Sequence, residues 1–261
     1  MPVVAKSRNF DALTSCSLNV MFFCDLNLGL HNYRVYLPIN SNCSAKMEQK
    51  VHSIIKSLKA MPKNPITGGF VPPYIGNGEI KCVIIGQDPT VRNAEKRKRI
   101  TSTLNLDKPN TPLFRYINDK ICPALGISLD NVYATNLFKY FYKYPPQDTI
   151  NVLHEHRQPN IDLLKEELSA YPNCPIIALG QPLLQLLVKD GGKKKMVFYW
   201  DYNSETKETN GNFRHVESDM NYLQRDFFPI CHQPSWSRKP FYRTTLKDYL
   251  SYVNEHTNIN Q

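Results

Sequence analysis

Short apolar runs closed by a polar residue or a glycine alternate along this chain with stretches of helical period. Three such runs, 82–85 before Gly86, 132–135 before Asn136 and 176–179 before Gly180, read as buried parallel strands. A fourth, 227–231, comes later. The spacing of Met47, Val51, Ile54, Ile55 and Leu58 predicts a helix over 46–60. Further helical patterns cover 112–121, 158–169, the segment from Pro182 onward and the region near 241–253. Strand–helix alternation predicts an α/β fold, a three-layer αβα arrangement around a central, mainly parallel sheet of four to five strands.

Two segments stand apart. Residues 1–45 show no clear period and read as an N-terminal extension, leaving 46–261 as a single domain. Within it, 190–228 runs from GGKKK through MVFYW and a polar turn to NFRHV, which predicts an inserted β-hairpin or a lengthened strand pair. No internal repeat interrupts the rest.

Composition narrows the partners. With 261 residues and 41% hydrophobic side chains the chain can bury one ordinary core. Its formal net charge of +9 favours a polyanionic partner, since each neutralised phosphate releases a counterion. Seven cysteines, none in a C-x-x-C pair, suggest neither a disulfide framework nor a metal site. Cys82 and Cys174 read as buried, inert thiols. No segment approaches the ~18 apolar residues of a membrane span. The expectation is a cytoplasmic, soluble monomer with no metal, no cofactor and no membrane contact.

The chemistry gathers at strand ends, where open α/β sheets bind their ligands. The run 82–85 delivers Gly86, Gln87, Asp88, Pro89 and Thr90; the run 132–135 delivers Asn136; the run 227–231 delivers His232. A carboxylate, an amide and an imidazole suit the cleavage of a bond to a nucleobase. The carboxylate steadies a cationic sugar and orients water, the imidazole hydrogen-bonds the departing anion, and the amide reads the base edge.

Those residues carry a resemblance. VIIGQDPT is similar to the water-activating Gly-Gln-Asp-Pro-Tyr motif of uracil-DNA glycosylases, and CHQPSWSRKPF resembles their His-Pro-Ser-Pro-Leu-Ser signature. YATNLFKY resembles the strand-end asparagine motif. IIALGQPLLQLL is similar to the segment that opens a helix near the phosphates, and PNTPLF (109–114) to a proline-containing loop on the DNA backbone. The five pieces keep their order over about residues 80–250. The resemblance implies a glycosylase that flips a base from DNA and leaves an abasic site. It implies that Asp88 orients water, that Gln87 and Asn136 bind the base, and that His232 contacts its O2. Trp236 is implied as the wedge that fills the vacated stack. Ser237, Arg238, Lys239, Gly180, Gln181 and Thr111 are implied as DNA contacts. The basic run 95–99, with Arg97, is expected to form a DNA rim.

The departures matter as much. Thr90 stands where the family has a tyrosine that walls off the pyrimidine C5 position. Leu104 is a poor substitute for the phenylalanine that stacks on the base. The loop VRNAEKRKR is longer and more basic than the family's short turn. An enlarged pocket points to uracil or a C5-modified cytosine, including the glucosylated hydroxymethylcytosine of phage DNA, and so to repair or antiviral defence. No lysine stands where these motifs would be expected to hold a Schiff-base nucleophile, which argues against a lyase step.

Each residue also has a plainer reading. Asp88 before proline can simply shape a turn, Asn136 can cap a helix, His232 can be a core histidine, and Trp236 can be packing. The runs 95–99 and 193–195 can be solvated faces. His154, His156 and His215 read as surface residues, and the acidic residues of 162–167 as a helix exterior. A non-catalytic DNA-binding scaffold and a nucleoside hydrolase are the competing functions.

Overall fold

A computed structural model describes residues 41–58, 64–89, 91, 93–145, 150–190, 192–257 and 259. The rest of the N-terminal extension lies outside them, as does Thr90. In chain order the elements are α1 (Ser41–Ser57), β1 (Ile66–Gly68), β2 (Tyr74–Ile75), β3 (Cys82–Gly86), α2 (Ala94–Arg97), α3 (Pro112–Tyr116) and α4 (Cys122–Ala124). They continue with β4 (Val132–Asn136), β5 (Phe141–Tyr142), α5 (Ile150–Leu168), β6 (Ile176–Leu179), α6 (Gln181–Leu187), α7 (Met196–Tyr199), β7 (Phe227–Ile230), α8 (Gln233–Arg238) and α9 (Pro240–Glu255).

Five strands form the central sheet in the order β2-β4-β3-β6-β7. Only the edge strand β2 is antiparallel; β4, β3, β6 and β7 run parallel. Every residue of those four is buried, which is why they read as unbroken apolar runs: a parallel sheet is covered by helices on both faces. The arrangement is the three-layer α/β fold expected from the pattern. A separate antiparallel pair, β1 with β5, sits beside it.

Three local expectations need correction. Residues 196–199 form the helical turn α7 rather than a strand. Met196, Tyr199 and Trp200 are buried at helical spacing, and only single bridges, Tyr202 with Thr209 and Val216 with Phe227, remain of the expected hairpin. Helix α5 begins at Ile150 and runs through Pro159, so the proline lies inside the helix rather than at its first turn. The pattern 112–121 is not one regular helix, because a π turn occupies Ile117–Ile121.

Burial also overturns two surface assignments. His156 is buried, its Nδ1 3.1 Å from the Tyr142 hydroxyl. Glu167 is buried against Lys139 rather than on a helix exterior. Cys82 is buried, which pushes its thiol well above the usual range, whereas Cys174 is only half-buried.

Candidate active site

Strand β3 hands the chain directly to Gly86, Gln87 and Asp88 at the carboxyl edge of the sheet. Gly86 is the register partner of Asn136 at the end of β4. The ladder continues past the strands: Leu137 N–H donates to Gly86 O and Phe138 N–H to Gln87 O, both at 2.9 Å. The Asp88 segment and the Asn136 segment are therefore one hydrogen-bonded unit. Gly86 must lack a side chain, because a Cβ would collide with Asn136 Oδ1 and with Leu104. The Gln87 side-chain amide donates to Asp88 Oδ1 at 2.8 Å, which fixes the carboxylate.

Asn136 is only 1% exposed, and its Oδ1 has no hydrogen-bond partner among the described residues. A buried carbonyl oxygen left in that state is costly unless a ligand completes it. Behind it stands Lys139, also 1% exposed. Its ammonium donates to Asn136 O at 2.8 Å and Thr135 Oγ1 at 2.6 Å, and pairs with Glu167 Oε2 at 2.6 Å. Glu167 Oε1 in turn accepts from Thr135 Oγ1 at 2.8 Å and from the Tyr133 hydroxyl. The buried ammonium thus has two hydrogen-bond acceptors and a carboxylate counter-charge, as a buried charge requires.

Beside Asp88 lie the buried phenols of Tyr140 and Tyr142. Burial pushes Tyr140 up to about 12, with the Asp88 charge adding to the rise; Tyr142 is raised by burial first, then by its neighbour Tyr140 and by Asp88. Asn160 Nδ2 donates to the Tyr140 hydroxyl at 3.0 Å. These phenols stay neutral and can act only as hydrogen-bond groups.

His232 follows β7 and caps α8. Gly180, at the end of β6, makes its approach possible: Gly180 has φ +94°, and a Cβ there would lie 3.3 Å from His232 Cβ. The Gly180 N–H donates to Ile230 O at 2.8 Å, tying the two strand ends together. His232 is exposed to solvent by surface area. Enough protein surrounds it that the lost solvation of the imidazolium lowers its pKa below 6.5. The backbone of Ser235 and Trp236 donates back to His232 O at 2.9 and 3.0 Å. Gln233–Arg238 is consequently helical rather than an open loop.

The remaining expected site residues fall into two groups. Ser237, Arg238 and Lys239 are exposed on this turn. Leu104 lies half-buried over Gly86 and Asn136, held at φ +58°, a conformation that non-glycine residues rarely adopt outside special sites. The others hold the scaffold. Thr111 Oγ1 caps α3 by accepting from Phe114 N at 3.1 Å. Gln181 Oε1 accepts from Met196 N at 2.6 Å and so anchors the 190–228 segment. Arg97 donates to Val91 O, Thr67 Oγ1 and Lys143 O at 2.8, 2.6 and 2.8 Å, clamping its loop. Trp236 does not project from the surface: its indole packs on Tyr116 with ring centroids 5.2 Å apart, and its N–H is buried without a partner among the described residues. The Tyr116 hydroxyl donates to Cys231 O at 2.9 Å, bracing the base of the His232 turn.

A family model, the Uracil DNA glycosylase superfamily, matches residues 72–253, most of the chain and every strand end just described. The chain belongs to the uracil-DNA glycosylase superfamily. Membership brings DNA-glycosylase chemistry and DNA as the substrate polymer. No curated protein matches the chain. As a member of this superfamily the protein carries no cluster of His, Cys, Asp or Glu able to hold a metal among the described residues. No helix among them is long and apolar enough to cross a membrane. Sequence reasoning passed over Lys139, Glu167 and Tyr116. The lysine and the glutamate lie far apart in the chain, and only the fold reveals them as a pair.

Proposed function

We propose that this protein is a monofunctional DNA glycosylase that extrudes a pyrimidine nucleotide and hydrolyses its N-glycosidic bond, leaving an abasic site. The observation that carries the proposal is the delivery of Asp88, Asn136 and His232 from the ends of β3, β4 and β7 to one edge of the sheet, with the side-chain Oδ1 of Asn136 buried and without a partner among the described residues. In this reading the C1′–N bond breaks with its electron pair going to the base. The Asp88 carboxylate stabilises the sugar cation and orients the water that attacks it. Neutral His232 donates to the O2 of the departing base anion, and Asn136 reads the base edge. Gln87 keeps the carboxylate in place.

The base in this proposal is uracil or a C5-modified cytosine such as the glucosylated hydroxymethylcytosine of phage DNA. Two features of the chain support the enlarged pocket: threonine at position 90 and the lengthened basic loop after it. Excision of the modified base would make the protein a defence enzyme, and excision of uracil a repair enzyme. The test is an alkali-cleavage assay on oligonucleotides carrying each base, with Asp88→Asn as control. The variant should lose about 10²–10⁴-fold in single-turnover rate while still binding DNA. Equal activity in wild type and Asp88→Asn would defeat the mechanism.

A further inference from the structure

One cavity among the described residues is not lined by Asp88, Asn136 or His232. It is an open groove of about 1190 Å³ walled by three segments, 67–70, 94–100 and 141–145. Two of them continue the chain onward from the site, one from Asp88 and one from Asn136; the third carries β1, the partner of β5. The groove is therefore built in part from chain that continues out of the strand ends leading to Asp88 and Asn136.

Its lining has a definite chemistry. Arg97, Lys98 and Lys143 contribute cations, Phe70, Phe141 and Tyr144 contribute rings, and no acidic side chain takes part. The Arg97 guanidinium bonds only neutral oxygens, so its charge is not cancelled by those contacts. Lys98 pairs with Glu95 at 3.0 Å, but both side chains are largely exposed, where such a pair is weak. Lys143 Nζ sits 5.4 Å from the Tyr144 ring centroid.

Tyr144 is the unusual member. Its ring is 49% exposed, while its backbone is gripped from both sides by the fully buried Asn64. Tyr144 N–H donates to Asn64 Oδ1 at 2.8 Å, and Asn64 Nδ2 donates to Tyr144 O at 3.1 Å. A large apolar ring held on a fixed backbone, in a cationic groove without acids, suits a ligand with a flat face and a negative charge. Stacking and phosphate neutralisation together describe an unpaired nucleotide.

We propose that this groove binds the unpaired DNA strand flanking the flipped base, with a base stacked on Tyr144 and phosphates met by Lys143 and Lys98, and that the protein consequently prefers single-stranded DNA. The proposal rests on the reading of the protein as DNA-acting but not on its catalysis. The test is therefore a binding titration with unmodified oligonucleotides, which offer no cleavable base. A fluorescent single strand and a hairpin duplex of the same sequence are titrated with wild type, Tyr144→Ala, Tyr144→Phe, Lys143→Glu and Ala94→Trp, each first checked for native circular dichroism.

Wild type should bind the single strand more tightly than the duplex. Tyr144→Ala should lose about tenfold on the single strand, and Tyr144→Phe should keep the affinity. Lys143→Glu should lower the slope of log affinity against log salt by about one, and Ala94→Trp should block the groove. Single-strand binding unaltered in Tyr144→Ala and Ala94→Trp would overturn the proposal. So would equal losses on single strand and duplex, or a wild-type protein that binds duplex better. Excision is read separately, on wild type: its absence with binding intact would strike the glycosylase reading alone.

Discussion

Lys139 donates to the backbone carbonyl of Asn136 at 2.8 Å from a side chain that is itself sealed in the core against Glu167. The polar residue at the end of β4 is thus held by a charge that cannot relax into water. Removing one partner strands the other as an uncompensated buried ion. Lys139→Met is expected to cost about 3–5 kcal/mol of stability, read as a fall in Tm. The double variant Lys139→Met/Glu167→Leu should recover most of that loss, since a well-packed apolar pair replaces a buried ion pair at little cost. Its kcat should stay low if the ammonium positions Asn136. Full recovery of kcat along with Tm would reduce the pair to a packing element.

The His232 imidazole has its pKa lowered below 6.5 by the solvation it loses to the protein around it. Between that lowered value and the ordinary one the folded protein binds fewer protons than the unfolded chain. Stability from this group is therefore complete above 6.5 and declines as pH falls through the window. Excision should follow the same direction, holding at neutral pH and dropping only below 6.5 as the ring becomes charged. His232→Gln should be slower at every pH and lack this acid limb. An acid limb centred above 6.5, or one that survives in His232→Gln, would contradict the assignment.

Gly180 takes φ +94° with His232 Cβ close to where its own Cβ would be. Gly180→Ala should cost about 1–3 kcal/mol from a positive-φ backbone that is almost reserved for glycine, and it should displace the His232 turn by a few tenths of an ångström. A lowered kcat with DNA affinity intact is the expected signature. A variant matching wild type in both Tm and kcat would show that the turn tolerates the contact.

Trp236 packs on Tyr116 while its indole N–H lacks a partner among the described residues. Trp236→Phe removes that unsatisfied donor along with part of the ring, so stability should stay within about 1 kcal/mol of wild type. If the indole swings out to replace a flipped base, excision from duplex DNA should fall about tenfold in this variant. Excision from a single strand should change far less. Equal losses on both substrates would make Trp236 a packing residue.

The strands were legible because burial on both faces leaves continuous apolar runs, and the polar residues that end those runs had to lie at the sheet's edge. Asp88, Asn136 and His232 were placed by that logic. Where side chains answer to partners distant in the chain, the local pattern misled. Lys139 and Glu167 look like solvated charges until the fold stacks β4 on α5. Pro159 looks like a helix start because period alone cannot show that α5 continues through it. Residues 196–199 have strand-like composition but bury at helical spacing. Arg97, Thr111 and Gln181 hold scaffold atoms, largely backbone, and no spacing rule reveals such partners. Leu104 was read as a poor stacking residue; its left-handed backbone over Gly86 is visible only in three dimensions.

Strand order has one more consequence. Between β3, which leads to Asp88, and β7, which leads to His232, stands the single strand β6. Two inter-strand steps of 4.7–4.9 Å set those strand ends about 10 Å apart. The sheet works as a caliper whose opening is fixed by backbone hydrogen bonds rather than by any loop. Loops around the jaws can change in length without moving them. The spacing between the strand that leads to Asp88 and the strand that leads to His232 stays set by the sheet.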